Sequence, residues 1–206
     1  MRVKRSASVQ RRVRLTLLLM TLGLTLGAGS AAAQSPSAQT LQLCAACHGD
    51  KGNSKMLGSP SLAGQPRIFI ENQLVMIREG LREVAAMKGL ITDMKDEEFT
   101  VLAKYFSEQK IQPEPAVLDT LRSARGAALS KRGQCGSCHL PDYAGREQMP
   151  RLAGQREDFL LSSMKEFRDG RATGRDTIMV ATLRGMTDAQ LTDLAHYFAT
   201  QVGAAK

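Results

Sequence analysis

Two short cysteine motifs constrain this chain more than anything else in it. They are Cys44-Ala45-Ala46-Cys47-His48 and Cys135-Gly136-Ser137-Cys138-His139, and they hold all four of the chain's cysteines. On a helical turn, positions i and i+3 share a face and i+4 lies beside them. Each motif therefore sets two thiols along one edge of a planar group and an imidazole beneath it. This is the signature of covalent haem attachment, with Cys44, Cys47, Cys135 and Cys138 forming thioethers and His48 and His139 placed to ligate iron.

Three other readings compete. Two Cys-x-x-Cys pairs can make one zinc site, but these are far apart and each has its own histidine. A thioredoxin-like redox motif expects a βαβ setting, and no strand alternation surrounds either motif. Local disulfides suit an exported protein but leave the two histidines unexplained.

The motifs are landmarks of a longer repeat. Pro60-Ser61-Leu62-Ala63-Gly64-Gln65 recurs 90 residues later as Pro150-Arg151-Leu152-Ala153-Gly154-Gln155. Met87 recurs as Met179, and Leu102-Ala103-Lys104-Tyr105-Phe106 as Leu194-Ala195-His196-Tyr197-Phe198, both at an offset of 92. Ordered landmarks at nearly constant spacing indicate a duplicated domain. The join falls in Glu108–Pro115, where two prolines favour an extended linker. The expected organisation is one domain over 34–112 and a second over 113–206.

Periodicity predicts an all-helical fold. Segments 39–46 and 118–131 lead into the motifs. Segments 67–82 and 156–168 carry apolar residues at helical spacing, and 96–108 and 187–201 close each copy with acidic first turns. Only 4% of the 206 residues are aromatic and there is no Trp. Two small domains so poor in large side chains need a cofactor to complete their cores.

The formal charge of +8 is misleading about partners. Six cations, Arg2, Lys4, Arg5, Arg11, Arg12 and Arg14, stand in the first 14 residues, and without them the excess is two. That basic stretch, the apolar run from Leu15 to Gly27 and Ala31-Ala32-Ala33 together read as a secretory signal peptide over 1–33, cleaved near Ala33/Gln34. The apolar run is shorter than the roughly 20 residues of a spanning helix. Nothing in the remaining charge suggests nucleic acid. Residues 35–112 are balanced, whereas 120–206 carry thirteen cations against nine anions, so the copies are expected to face different partners.

A histidine leaves one axial position open, and a Met thioether is the common electron-transfer choice. Copy symmetry leaves two pairs, Met87/Met179 and Met94/Met186. The second pair precedes the closing helices, where Phe99 and Leu191 complete hydrophobic staples. Met87 and Met179, expected in loops, are the favoured ligands. The carbonyls of Pro60 and Pro150 are placed to accept the histidine Nδ1–H and aim each ring at iron. His196 pairs with Lys104 in the repeat and reads as a helix-surface residue, not a ligand.

These residues resemble the dihaem cytochromes c of the cytochrome c4 family over essentially the whole mature chain. The twice-repeated Leu-Ala-Gly-Gln segment is the most specific feature. The resemblance implies two class I cytochrome c domains related by pseudo-twofold symmetry, two covalently bound haem c groups with His/Met ligation, and a periplasmic location. It implies a role as an electron carrier rather than an enzyme. Its partners would be redox proteins: a quinol-oxidising complex or dehydrogenase as donor, a terminal oxidase or other acceptor. A monomer is expected, with peripheral membrane association left open. The alternative is a haem subunit of a periplasmic dehydrogenase, or a haem enzyme with a labile axial ligand. The ligand loops, Met87-Lys88-Gly89-Leu90 and Met179-Val180-Ala181-Thr182, depart from the family's usual pattern. So does His139-Leu140-Pro141-Asp142-Tyr143, which stands where the first copy has Gly49 and Gly52.

Overall fold

A computed structural model describes residues 35–113 and 117–201. The signal-peptide reading, and Glu114, Pro115 and Ala116 of the linker, lie outside the described residues. Within the described part the chain is helical, and its single β feature is an isolated bridge between Arg146 and Met149. No helix among the described residues is long and apolar enough to cross a membrane.

The first copy contains α1 (Ala38–His48), a 3₁₀ turn (Asp50–Gly52), α2 (Arg67–Arg78), α3 (Ala85–Ile91) and α4 (Asp96–Ser107). The second contains α5 (Thr120–Arg132), α6 (Cys135–His139), α7 (Glu157–Arg168), α8 (Thr177–Leu183) and α9 (Asp188–Thr200). Helix starts follow local chemistry. The Ser37 hydroxyl accepts from Thr40 N–H, and the Asp119 carboxylate accepts from the N–H groups of Leu121 and Arg122. Thr187 and Gln190 form a capping box at α9. One helix enters the first motif unbroken. In the second copy Gln134, in the left-handed conformation at φ 52°, divides α5 from α6.

Each copy has its own apolar core. Ile70, Leu74 and Ile77 of α2 meet Phe99, Leu102 and Phe106 of α4. Leu160 and Met164 of α7 meet Leu191, Leu194 and Phe198 of α9, with Leu129 joining from α5. Helix α5 approaches α9 closely because Gly126 has no side chain. A Cβ there would lie 2.3 Å from the Asp193 carbonyl oxygen and 2.5 Å from the Tyr197 Cβ.

The repeated Leu-Ala-Gly-Gln segment organises both domains. The N–H groups of Leu62 and Ala63 donate to the Gly52 carbonyl at 2.7 and 3.0 Å, and that of Gly64 donates to the Phe106 carbonyl at 2.9 Å. In the second copy Leu152 and Ala153 donate to Tyr143, and Gly154 donates to Phe198. Ala63 and Ala153 have no exposed surface. The segment thus ties the loop after each motif to the end of each closing helix. Gln65 and Gln155 are not used within their own domains in this way; they cross to the other copy.

Two expectations change. Met87 and Met179 lie in short helices, α3 and α8, not in loops. Ala85 and Ala86 favour helix in the first case, and the Asp176 side chain caps Ile178 N–H at 2.8 Å in the second. His196 is only 2% exposed, not a surface residue. Its Nε2 accepts the Asp119 N–H at 3.0 Å and its Nδ1 donates to Glu157 at 2.9 Å, pinning the start of α5 to α7 and α9. The linker is pinned at its beginning, because Asn53 donates to the Lys110 carbonyl and accepts from Gln112 N–H.

Candidate functional site

Each Cys-x-x-Cys-His triplet sits on a helix end, with its histidine buried and its first cysteine packed against the core. His48 closes α1 and His139 closes α6, and they are 8% and 5% exposed. His48 Nδ1 lies 2.9 Å from the Pro60 carbonyl oxygen, and His139 Nδ1 lies 2.8 Å from that of Pro150. A carbonyl oxygen only accepts, so Nδ1 carries the proton in both rings and Nε2 holds the lone pair. Burial pushes both imidazole pKa values down, opposed by the proline carbonyls. Each ring is therefore neutral and oriented, the state in which imidazole ligates a metal.

None of the four cysteines is joined in a disulfide; Cys44, Cys47 and Cys135 are half-buried and Cys138 is exposed. Burial pushes the Cys44 and Cys135 thiols up. Among the described residues no group of three or more His, Cys, Asp or Glu side chains converges to hold a metal ion by itself. The donor set suits a group that binds the two thiols covalently along its edge and takes iron ligation from the histidine.

A buried cation gives an independent test of fit. Arg151 is 1% exposed. Its guanidinium donates to the carbonyls of Ala153 and, at 2.9 Å, of Ala63 in the other copy. Its Nε is buried with no partner, and no ion pair to it occurs among the described residues. Burial pulls its pKa down to about 10. A buried guanidinium without a counter-charge is costly, and the propionate carboxylates of a haem are the kind of group that relieves it. The residues present fit a haem c in each copy.

Met87 and Met179 are half-buried and pack against the cores of their own copies, as do Met94 and Met186. The second pair has a clear structural setting. Arg78 donates to the Met94 carbonyl at 3.0 Å and pairs with Asp96 at 2.7 Å. Arg168 donates to the Met186 carbonyl at 3.2 Å and pairs with Asp188 at 2.5 Å. These two arginines recur 90 residues apart, a signal present in the repeat that the sequence reading did not use.

The reading also missed how the copies meet. Gln65 Oε1 accepts from the Arg151 N–H at 2.9 Å, and Gln65 Nε2 donates to the Arg151 carbonyl at 3.1 Å. Gln155 does the same to Ser61, at 2.8 and 2.9 Å. Both glutamines are 3% exposed. The reciprocal exchange is the pseudo-twofold relation of the two domains written in hydrogen bonds. Around it, Gly58 N–H donates to Asp158 at 2.6 Å and Arg156 to the Ser54 carbonyl at 3.3 Å.

Known proteins match both halves of the chain. The family model described as cytochrome c matches residues 123–201, and that described as cytochrome C oxidase, cbb3-type, subunit III matches 31–106. The chain is 33% identical over 195 residues to cytochrome c4 of Pseudomonas aeruginosa, covering 89% of this chain and 96% of that protein. It is 33% identical over 202 residues to a thiosulfate dehydrogenase electron acceptor of Thiomonas intermedia, covering 92% of each. Among solved structures, reduced recombinant cytochrome c4 from Pseudomonas stutzeri superposes with a TM-score of 0.73 at 28% identity, covering 82% of this chain and all of that one.

Proposed function

The chain belongs to the cytochrome c4 family, and from that premise we propose that it is a periplasmic dihaem electron carrier. It is exported by the segment 1–33 and built of domains 34–112 and 113–206. Cys44 and Cys47 hold one haem c through thioethers, and Cys135 and Cys138 hold the other. His48 with Met87, and His139 with Met179, would hold the iron. Bound haem c supplies one-electron exchange at iron between the ferrous and ferric states.

The residues of the chain do the rest. Pro60 and Pro150 fix the histidine tautomer and ring direction, so that each Nε2 lone pair is aimed before ligation. Burial of His48 and His139 keeps water from the imidazole of each site. If His48 and Met87, and His139 and Met179, held the iron together, no position would be left for a substrate, which favours electron transfer over bond-making chemistry. Arg151 would supply a counter-charge for a haem propionate. The observation that carries this reading is the pair of His–Pro contacts, 2.9 and 2.8 Å, repeated behind two Cys-x-x-Cys-His motifs.

A redox-titrated visible spectrum with a pyridine haem assay on the mature protein tests it. Two haems per chain and two one-electron waves are expected; a colourless preparation, or one haem per chain, overturns the reading.

A second reading is favoured by the relative named a thiosulfate dehydrogenase electron acceptor. In that reading the chain serves as the redox subunit or dedicated acceptor of a dehydrogenase. A stable complex with such an enzyme on gel filtration supports it. Rapid binding of carbon monoxide to the unmodified protein points instead to a haem enzyme with a labile ligand.

A further inference from the structure

The peptide group between Pro60 and Ser61 is held on both sides. Its carbonyl oxygen accepts from His48 Nδ1 at 2.9 Å, and its N–H donates to Gln155 Oε1 at 2.8 Å. The peptide group between Pro150 and Arg151 repeats this, with His139 at 2.8 Å and Gln65 at 2.9 Å. A peptide unit is planar and rigid, so its two ends cannot move independently. Each glutamine also donates to the carbonyl of the same residue, Ser61 or Arg151, which holds the next peptide group as well. All four partners are buried: Ser61 at 6%, Arg151 at 1%, and both glutamines at 3%.

The order of the chain makes the connection crossed. Gln65 belongs to the first domain, yet the peptide it holds carries the histidine of the second. Gln155 belongs to the second domain and holds the peptide that carries the histidine of the first. Hydrogen bonds in a chain polarise one another, by an estimated 10–30% per bond. A glutamine that accepts from the peptide N–H makes the carbonyl at its other end a better acceptor. A better acceptor draws the Nδ1 proton and enriches the lone pair at Nε2.

We propose that Gln65 and Gln155 are crossed positioning residues, each setting the orientation and donor strength of the iron-ligating histidine in the opposite domain. The proposal rests on the haem reading given above. A stronger Nε2 donor stabilises the higher iron charge, so each glutamine lowers the reduction potential of the haem in the other domain. The domains thereby set each other's potentials through hydrogen bonds as well as through space.

The test uses the full chain matured with haem, carrying Gln65→Met or Gln155→Met. Methionine keeps the length and removes the hydrogen bonds. Haem content is measured first, and potentials are then followed by titration. Each haem is identified by the Nδ1–H resonance of its histidine in ¹⁵N-histidine-labelled protein, assigned through contacts to Pro60 or Pro150. Gln65→Met is expected to raise the potential of the His139 haem more than that of the His48 haem. Gln155→Met is expected to do the reverse. A larger shift in the variant's own domain, equal shifts, or none overturns the proposal.

If both variants fail to fold, amide hydrogen exchange in the unsubstituted protein decides it. The Arg151 N–H is expected to exchange at least twofold more slowly when the His139 haem is ferric, and the Ser61 N–H when the His48 haem is ferric; unchanged rates overturn the proposal. An unsubstituted protein without haem fails at the first assay instead, which separates loss of the functional reading from loss of the crossed coupling.

Discussion

Gln65 and Arg151 lie 86 residues apart in the chain and are joined by two hydrogen bonds, 2.9 Å from the Arg151 N–H and 3.1 Å to the Arg151 carbonyl. A side-chain carboxamide here pairs with one residue of backbone much as a neighbouring strand pairs with it. Both residues are buried, so losing either bond strands a polar group away from water at a cost of about 1–3 kcal/mol. The pairing places the domain boundary one residue from the proline that orients His139.

Met87→Ala and Met179→Ala separate the two candidate ligand pairs. Each is expected to remove about half of the thioether-to-iron absorption band of the ferric protein and to lower one of the two potentials. Met94→Leu and Met186→Leu are expected to leave both unchanged, because the tie of each segment to Arg78 or Arg168 is made by backbone. Loss of the band in the Leu variants would falsify the assignment.

Gly126→Ala should destabilise the second domain by about 2 kcal/mol or more, since the added Cβ would meet the Asp193 backbone at 2.3 Å and overpacking outweighs the gain in helix propensity. Gly89→Ala, in α3 with nothing within 4 Å of the added atom, should stabilise by up to about 1 kcal/mol. Denaturant unfolding of the two variants gives opposite signs if helix crossing is what the first glycine serves.

His196→Ala should cost about 1–3 kcal/mol, because it leaves the Asp119 N–H without its acceptor. The pyridine haem assay should still return two haems per chain, as neither nitrogen of His196 is free to ligate. A fall to one haem would return this histidine to the list of candidate ligands.

Asp188 accepts from Lys165 at 2.6 Å and from Arg168 at 2.5 Å, and these contacts hold its carboxyl down to about 2 from an ordinary 3.8. The folded value lies below the unfolded one. Its contribution to stability is therefore complete above the unfolded value and is lost as pH falls through about 2. Asp188→Asn should flatten the pH dependence of the unfolding midpoint between about pH 4 and 2 and leave its slope above pH 5 unaltered. An unchanged acid limb would show that the exposed carboxylate is screened.

The sequence alone determined the helical fold and the count of domains. Cys44, Cys47 and His48 face one way because of helical spacing, whatever surrounds them, and a duplicated motif repeats that logic at Cys135, Cys138 and His139. The helices were legible for the same reason: caps and apolar periodicity act within a few residues. Met87 and Met179 were misplaced into loops because short helices leave little periodicity to read. His196 was misread because its repeat partner, Lys104, is exposed, and burial depends on what the opposite surface supplies. The crossing of Gln65 and Gln155 and the isolation of the Arg151 charge were decided only by tertiary structure. Hydrogen bonds between groups 86 and 94 residues apart exist only once two domains have met, and no local pattern records which backbone group a carboxamide will find.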